Sequence, residues 1–134
     1  PWPECGEIDI VETRGVDPNR VSAVLHGPGY GKGPGVGGTY QSPTPLSDDY
    51  HVYAIEWKKN KIDFYIDDRL ISSETPTSVK PGRWVFNQKF FLILNLAMGG
   101  EFGGPIDPTI NQTQLFVDYI RYFSVDGVGK LTKQ

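Results

Sequence analysis

The sequence is poor in cysteine, in basic charge and in long apolar runs, and each shortage excludes something. A single cysteine, Cys5, stands in 134 residues, so no disulfide can close within the chain, and cysteine usage does not report a redox compartment. No Cys or His cluster surrounds it, so it reads as a small half-buried residue rather than a catalytic thiol. Thirteen basic residues stand against 16 acidic ones, a net charge of −3, which gives no electrostatic reason to expect a nucleic-acid partner. The longest basic run, Lys58 and Lys59 with Lys61 just beyond, reads as a solvated strand end. No apolar run approaches the roughly 20 residues of a membrane helix, so no membrane partner is expected. No segment repeats a 3.6-residue apolar period between caps, and no internal repeat is evident. The chain opens on Pro1, and no signal-peptide pattern is visible.

Glycine and proline are abundant instead, 16 and 11 residues, clustered between short apolar runs. That punctuation predicts a β-rich chain with many turns. Strands are expected at 7–12, 21–26, 50–58, 61–66, 69–73, 90–97 and 115–124. The stretch HVYAIEWKKNKIDFYID reads as a hairpin turning near Asn60, and a second tight turn at Asp67 and Asp68 continues it as a three-stranded meander. FFLILNLAMGG is nearly all apolar and suits a central strand buried on both faces. The fold class is all-β, a sandwich. Between 26 and 45 runs a Gly/Pro loop with a G-x-G-x-x-G match at Gly33, Gly35 and Gly38. Pro34 interrupts the match and no helix follows, so a dinucleotide site fails on context. A loop beside a cleft, with Tyr30 and Tyr40 at its rim, is the better reading. Asn111 to Thr113 fits a glycosylation sequon.

GEIDIVE, residues 6–12, carries the chemistry. Alternate side chains of a strand point to opposite faces, so Glu7 and Asp9 share one and Glu12 falls on the other. An extra residue at Ile10 and Val11, a β-bulge, would return Glu12 to the face of Glu7 and Asp9. Glycoside hydrolysis commonly uses two carboxyl groups, about 5–5.5 Å apart for retention and about 6.5–9.5 Å for inversion. Glutamates four positions apart on a strand are about 13 Å apart at the backbone, and their side chains can lean together. The alternative is ordinary: acids on a strand are often only its solvent face, with Ile8 and Ile10 turned inward.

WPECGEIDIVE resembles the signature of glycoside hydrolase family 16, in the bulged E-x-D-x-x-E form of its laminarinase-like endo-β-1,3-glucanases, agarases and carrageenases. The similarity continues in order through VLHGPGY, YHVYAIEW, KIDFYIDDRLI, FFLILNLAMGG and LFVDYIRYF. HGPG after a bulged signature, together with NLAMGG, points to the laminarinase-like branch. The resemblance implies a concanavalin-like jelly-roll sandwich, of which residues 1–134 would be the C-terminal part of one domain, with the N-terminal strands absent. A missing half or a partner chain would then complete the cleft, and the chain alone is not expected to be active. It also implies retaining endo-hydrolysis of a laminarin-type β-1,3-glucan, a polysaccharide substrate, by a secreted enzyme needing no cofactor.

By position, Glu7 matches the nucleophile, Glu12 the general acid/base, and Asp9 the carboxylate that orients and tunes them. With Glu7 and Asp9 ionised, repulsion favours a protonated Glu12. Trp2 matches a sugar-stacking tryptophan, where a plain reading packs it on a sheet edge. His26 matches a histidine near the acid/base, where a plain reading makes it a loop histidine bonded to backbone. Trp84 matches a further substrate-contacting tryptophan, although Val85 and Asn87 depart from the family segment; Trp57 reads as core. Asp118 matches an aspartate that holds a structural calcium with backbone carbonyls. The competing functions are the same mechanism on agar, carrageenan or mixed-linkage glucan, and a glucan-binding module without catalysis. The absence of Arg/Lys clusters near the signature, with Arg14 the nearest basic residue, favours a neutral glucan over a sulfated galactan.

Overall fold

The computed structural model describes residues 1–127 and 129. The chain divides into two compact units, Pro1–Lys89 and Phe90–Gln134. The first holds two antiparallel three-stranded sheets. One runs β1 (Glu7–Arg14), β2 (Asp17–His26) and β3 (Val36–Gln41); the other runs β4 (Tyr53–Lys58), β5 (Lys61–Ile66) and β6 (Arg69–Glu74).

Period-two alternation explains the second sheet. Tyr53, Ile55 and Trp57 pair across from Ile66, Phe64 and Ile62. Ile62, Phe64 and Ile66 are all buried. The intervening Asp63 turns to the other face, where Lys61 pairs with it at 2.8 Å and the Ser73 hydroxyl donates to it. Both turns fall where expected. Asn60 has φ 60°, and Asp67 and Asp68 have φ 46° and 65°, the left-handed pair of a twist-matched two-residue hairpin. Asp67 also shortens the expected strand 50–58 to start at Tyr53. Its carboxylate accepts from the Val52 N–H at 2.9 Å and binds the His51 ring at 2.6 Å, so residues 50–52 serve the turn instead of the ladder.

In the first sheet β2 carries most of the core, with Val21, Ala23 and Leu25 fully buried. The two sheets share a cluster of Val21, Leu46 and Ile66, flanked by Tyr40, Tyr53 and Ile71. β3 lies inside the segment expected to be a loop. Neighbours on two sides leave no room for side chains at two positions: a Cβ on Gly37 would stand 2.0 Å from the Ala23 carbonyl oxygen of the paired β2, and one on Gly38 2.8 Å from that of Ile71 on β6, in the other sheet. Two glycines thus permit close backbone approach, and for the same reason no strand pattern marks them.

The second unit corrects two expectations. Neither 90–97 nor 115–124 is a β-strand, and the four-residue helix Gly100–Gly103 is the one regular element from Phe90 onward among the described residues. Phe91 and Ile93, expected inside, are 79% and 67% exposed, and Phe116 and Phe123 of the second segment are 68% and 73% exposed. A strand buried on both faces needs neighbours at both edges and a layer above and below, and an apolar run cannot supply these itself. Among the described residues no helix is long and apolar enough to cross a membrane.

Candidate active site

The register of β1 against β2 answers the parity problem. Glu7 pairs with His26, Ile8 with Leu25, Asp9 with Val24, and then Glu12 with Ser22. Three steps on β1 oppose two on β2, so one extra residue is accommodated at Ile10 and Val11. Positions 26, 24 and 22 share a face of β2, and directly paired residues share a face of the sheet. Glu7, Asp9 and Glu12 therefore share one face, opposite the buried Leu25 and Val21. Deleting Val11 is expected to regularise the ladder while leaving all three carboxylates together. Cross-strand nuclear Overhauser contacts between Glu12 and Ser22 would persist in that variant; their loss would show that the bulge does more than restore parity.

A turn ahead of β1 delivers Trp2 to this face. The Gly6 N–H donates to the Pro3 carbonyl at 3.0 Å, with Gly6 at φ 77°, a left-handed conformation that suits glycine. The chain doubles back, and the Trp2 indole N–H donates to Glu7 Oε2 at 2.6 Å. Half of Trp2 stays exposed, and its ring centroid lies 6.4 Å from that of His26. Cys5, in the same turn, is exposed and not half-buried as expected.

His26 closes the group from β2. Its Nδ1 lies 3.1 Å from the Gly31 carbonyl oxygen. A carbonyl only accepts, so Nδ1 carries a proton and Nε2 is the atom turned to Asp9 Oδ2, 3.5 Å away. The histidine is thus bonded to backbone, as the plain reading has it, and its other ring nitrogen faces the carboxylate cluster.

The electrostatics depart from the expected order of protonation. Burial pushes the Asp9 carboxyl up to about 7, and the charges of Glu7 and Glu12 and a hydrogen bond with Glu7 add to it. Burial raises Glu12 as well; the nearby His26 pulls it down and Glu7 pushes it up. Asp9 is therefore not fully ionised at neutral pH. In its neutral form it is a donor, and its hydrogen bond partner is Glu7. The reason is local: Asp9 lies mid-strand between two acids, with its side chain only 19% exposed.

The remaining expected site residues have other partners. Trp84 packs edge-on against Phe86 at 4.9 Å between centroids and donates its indole N–H to Asn87 Oδ1 at 3.2 Å. Asn87 in turn exchanges hydrogen bonds with Asn60 in the β4–β5 turn. These contacts tie Trp84 to the β4–β5 hairpin. Trp57 is 36% exposed, and its indole N–H is bonded to the Phe86 carbonyl at 2.8 Å. Asp118 is exposed in the second unit. Calcium takes about 6–8 oxygen ligands, and no group of three or more His, Cys, Asp or Glu suited to a metal occurs among the described residues. One exposed carboxylate does not make up that donor set.

Three long-range contacts beside this group were not expected from sequence. Arg83 pairs with Glu4, Tyr30 bonds Arg83, and Gln88 bonds Cys5. Each contact joins positions more than 50 apart, and no local pattern encodes it.

The family model described as glycosyl hydrolases family 16 matches residues 2–121. The chain belongs to glycosyl hydrolase family 16. It is 40% identical over 131 residues to a β-glucanase of Rhodothermus marinus, covering 91% of this chain and 46% of that protein. Among solved structures it is similar to an endo-β-1,3-glucanase from Pyrococcus furiosus, with 39% identity and a TM-score of 0.76 over 81% of this chain and 43% of that one. It is also similar to the catalytic domain of an endo-1,3-β-glucanase (laminarinase) from Thermotoga petrophila, with 40% identity and a TM-score of 0.75, covering 81% and 45%. The chain thus spans less than half the length of these family 16 relatives. Its two antiparallel sheets are part of the family 16 sandwich.

Proposed function

We propose that this chain carries the catalytic strand of a retaining endo-β-1,3-glucanase. The observation that carries the reading is the bulge, which sets Glu7, Asp9 and Glu12 on one face of the sheet. In the first step the Glu7 carboxylate attacks the anomeric carbon while Glu12 gives its proton to the departing glycosidic oxygen. A covalent glycosyl–Glu7 ester results. Glu12, now ionised, takes a proton from water, the water oxygen attacks the same carbon, and Glu7 leaves as a carboxylate with the configuration retained. Asp9 and the Trp2 indole give Glu7 its hydrogen-bond partners. The half-exposed indole ring also offers a flat surface to a sugar. A polymeric glucan would be met outside the cell, so the complete protein is expected to be secreted.

The test is hydrolysis by the complete domain of laminarin, lichenan and agarose, with the anomeric products followed by proton NMR. Retained configuration on laminarin is the expected result. An inverted product would remove Glu7 as nucleophile, and cleavage of agarose instead would move the substrate to a galactan. Trp2→Phe keeps an aromatic ring and removes the N–H. A hydrogen bond to a charged group contributes about 1.5–3 kcal/mol, and this one is partly exposed. The variant is expected to lose about tenfold in kcat, near the lower limit of that range, with KM little changed. A change confined to KM would assign Trp2 to sugar binding alone.

A further inference from the structure

Two loops that the proposed mechanism does not use hold its residues in place. Loop 27–31 follows β2, and loop 82–88 lies against it. The Tyr30 hydroxyl donates to the Arg83 carbonyl at 2.9 Å, and the Arg83 N–H donates to the Pro28 carbonyl at 3.0 Å. The Tyr30 ring fills the space between two glycines. A Cβ on Gly27 would stand 2.5 Å from its oxygen, and one on Gly82 2.5 Å from its ring. The two loops are therefore locked to each other.

Two arms reach from this lock toward the acids. One is the Gly31 carbonyl, which receives the His26 Nδ1 proton. The other runs to the turn that carries Trp2. The Arg83 guanidinium pairs with Glu4, and the Gln88 amide donates to the Cys5 carbonyl at 2.9 Å. Pro3 packs on Gly31 so closely that a Cβ there would lie 2.3 Å from it. The turn's own bonds, Cys5 to Pro1 and Gly6 to Pro3, fix its internal shape. They do not fix where it stands over the sheet. The contacts that reach it from outside are the Pro3–Gly31 packing and the bonds from Arg83 and Gln88.

We propose that Arg83 and Gln88 are positioning residues, which hold the Pro1–Gly6 turn so that the Trp2 indole N–H meets Glu7. The Arg83–Glu4 pair is exposed on both sides, and exposed pairs typically contribute only about 0–1 kcal/mol to stability. Its effect is on placement, where a shift of about 1 Å can cost about 10²-fold in rate. The inference rests on the catalytic reading only in naming what is positioned.

The test is the Trp2 indole N–H resonance in the 15N-labelled chain. In Arg83→Gln and in Glu4→Ala it is expected to move to the position of a solvent-exposed indole. Arg83→Lys should recover part of the shift, and the β4–β6 amide resonances should be unmoved. An unmoved Trp2 resonance in folded Arg83→Gln or Glu4→Ala overturns the proposal. If Arg83→Gln fails to fold, Glu4→Ala decides alone, since it removes only an exposed carboxylate. A complete domain that is inactive on glucans, while its Trp2 resonance responds as expected, would overturn the function and leave the positioning role standing.

Discussion

Glu12→Gln is expected to slow hydrolysis of unactivated β-1,3-glucan by the complete domain by about 10²–10⁴-fold, the range lost when a positioned general acid is removed. The substitution replaces a carboxyl by an amide of the same shape, so the ladder to Ser22 and the bulge should survive. What disappears is the proton for the departing oxygen. The loss should therefore be smallest on substrates whose leaving group needs no proton, such as an aryl glycoside with an acidic phenol. On these the first step is expected to run at close to the normal rate and the glycosyl–enzyme to accumulate, because deglycosylation still needs the base. A burst of phenol followed by a slow phase is the signature. Equal losses on glucan and on the activated substrate would mean that Glu12 serves the fold or the nucleophile, and the assignment of acid and nucleophile would have to be redrawn.

The bulge shows which features a sequence makes legible. It is a local property: two acids at one parity, a third at the other, and β-branched residues between. Pleat geometry alone turns that mismatch into an expectation, and the register of β1 on β2 meets it. The two-residue turns at Asn60 and at Asp67 and Asp68 are legible for the same reason, because a short polar break between alternating runs has few conformations. β3 is not legible. Gly37 and Gly38 hold their places by having no side chain, and two adjacent glycines in a six-residue strand leave no alternation to read. The segments 90–97 and 115–124 fail in the opposite sense. Their composition suits a buried strand, but a strand is a relation between segments, and composition describes only one of them. The Arg83–Glu4 and Gln88–Cys5 contacts lie beyond reach of any local pattern. The placement of Trp84 is a like case, since Asn60 and Asn87 draw it to the hairpin.

Asp9→Asn should remove the steepest pH dependence of stability in the first unit. The Asp9 carboxyl titrates about 7 in the folded protein and near its ordinary value of 3.8 once unfolded. Between those values the folded state binds the proton that the unfolded state has released, so stability falls as pH rises through that window and levels off above it. The stabilising contribution of neutral Asp9 is complete below about pH 4 and gone above about pH 8. A full conversion at about 1.4 kcal/mol per pH unit gives roughly 4 kcal/mol. Because the carboxyl still touches solvent, screening reduces this to on the order of 2 kcal/mol. Asparagine keeps the shape and stays neutral, its amide N–H able to donate to Glu7. At pH 4 the variant and the parent should melt together; at pH 8 the variant should be the more stable by that amount. In the complete domain the same substitution should flatten the neutral-pH limb of the activity profile, because the group that donates to Glu7 no longer ionises. A variant whose stability tracks the parent's at every pH would place the displaced titration on Glu12 instead. His26 would then be the residue to change next, since its charge opposes the rise at Glu12.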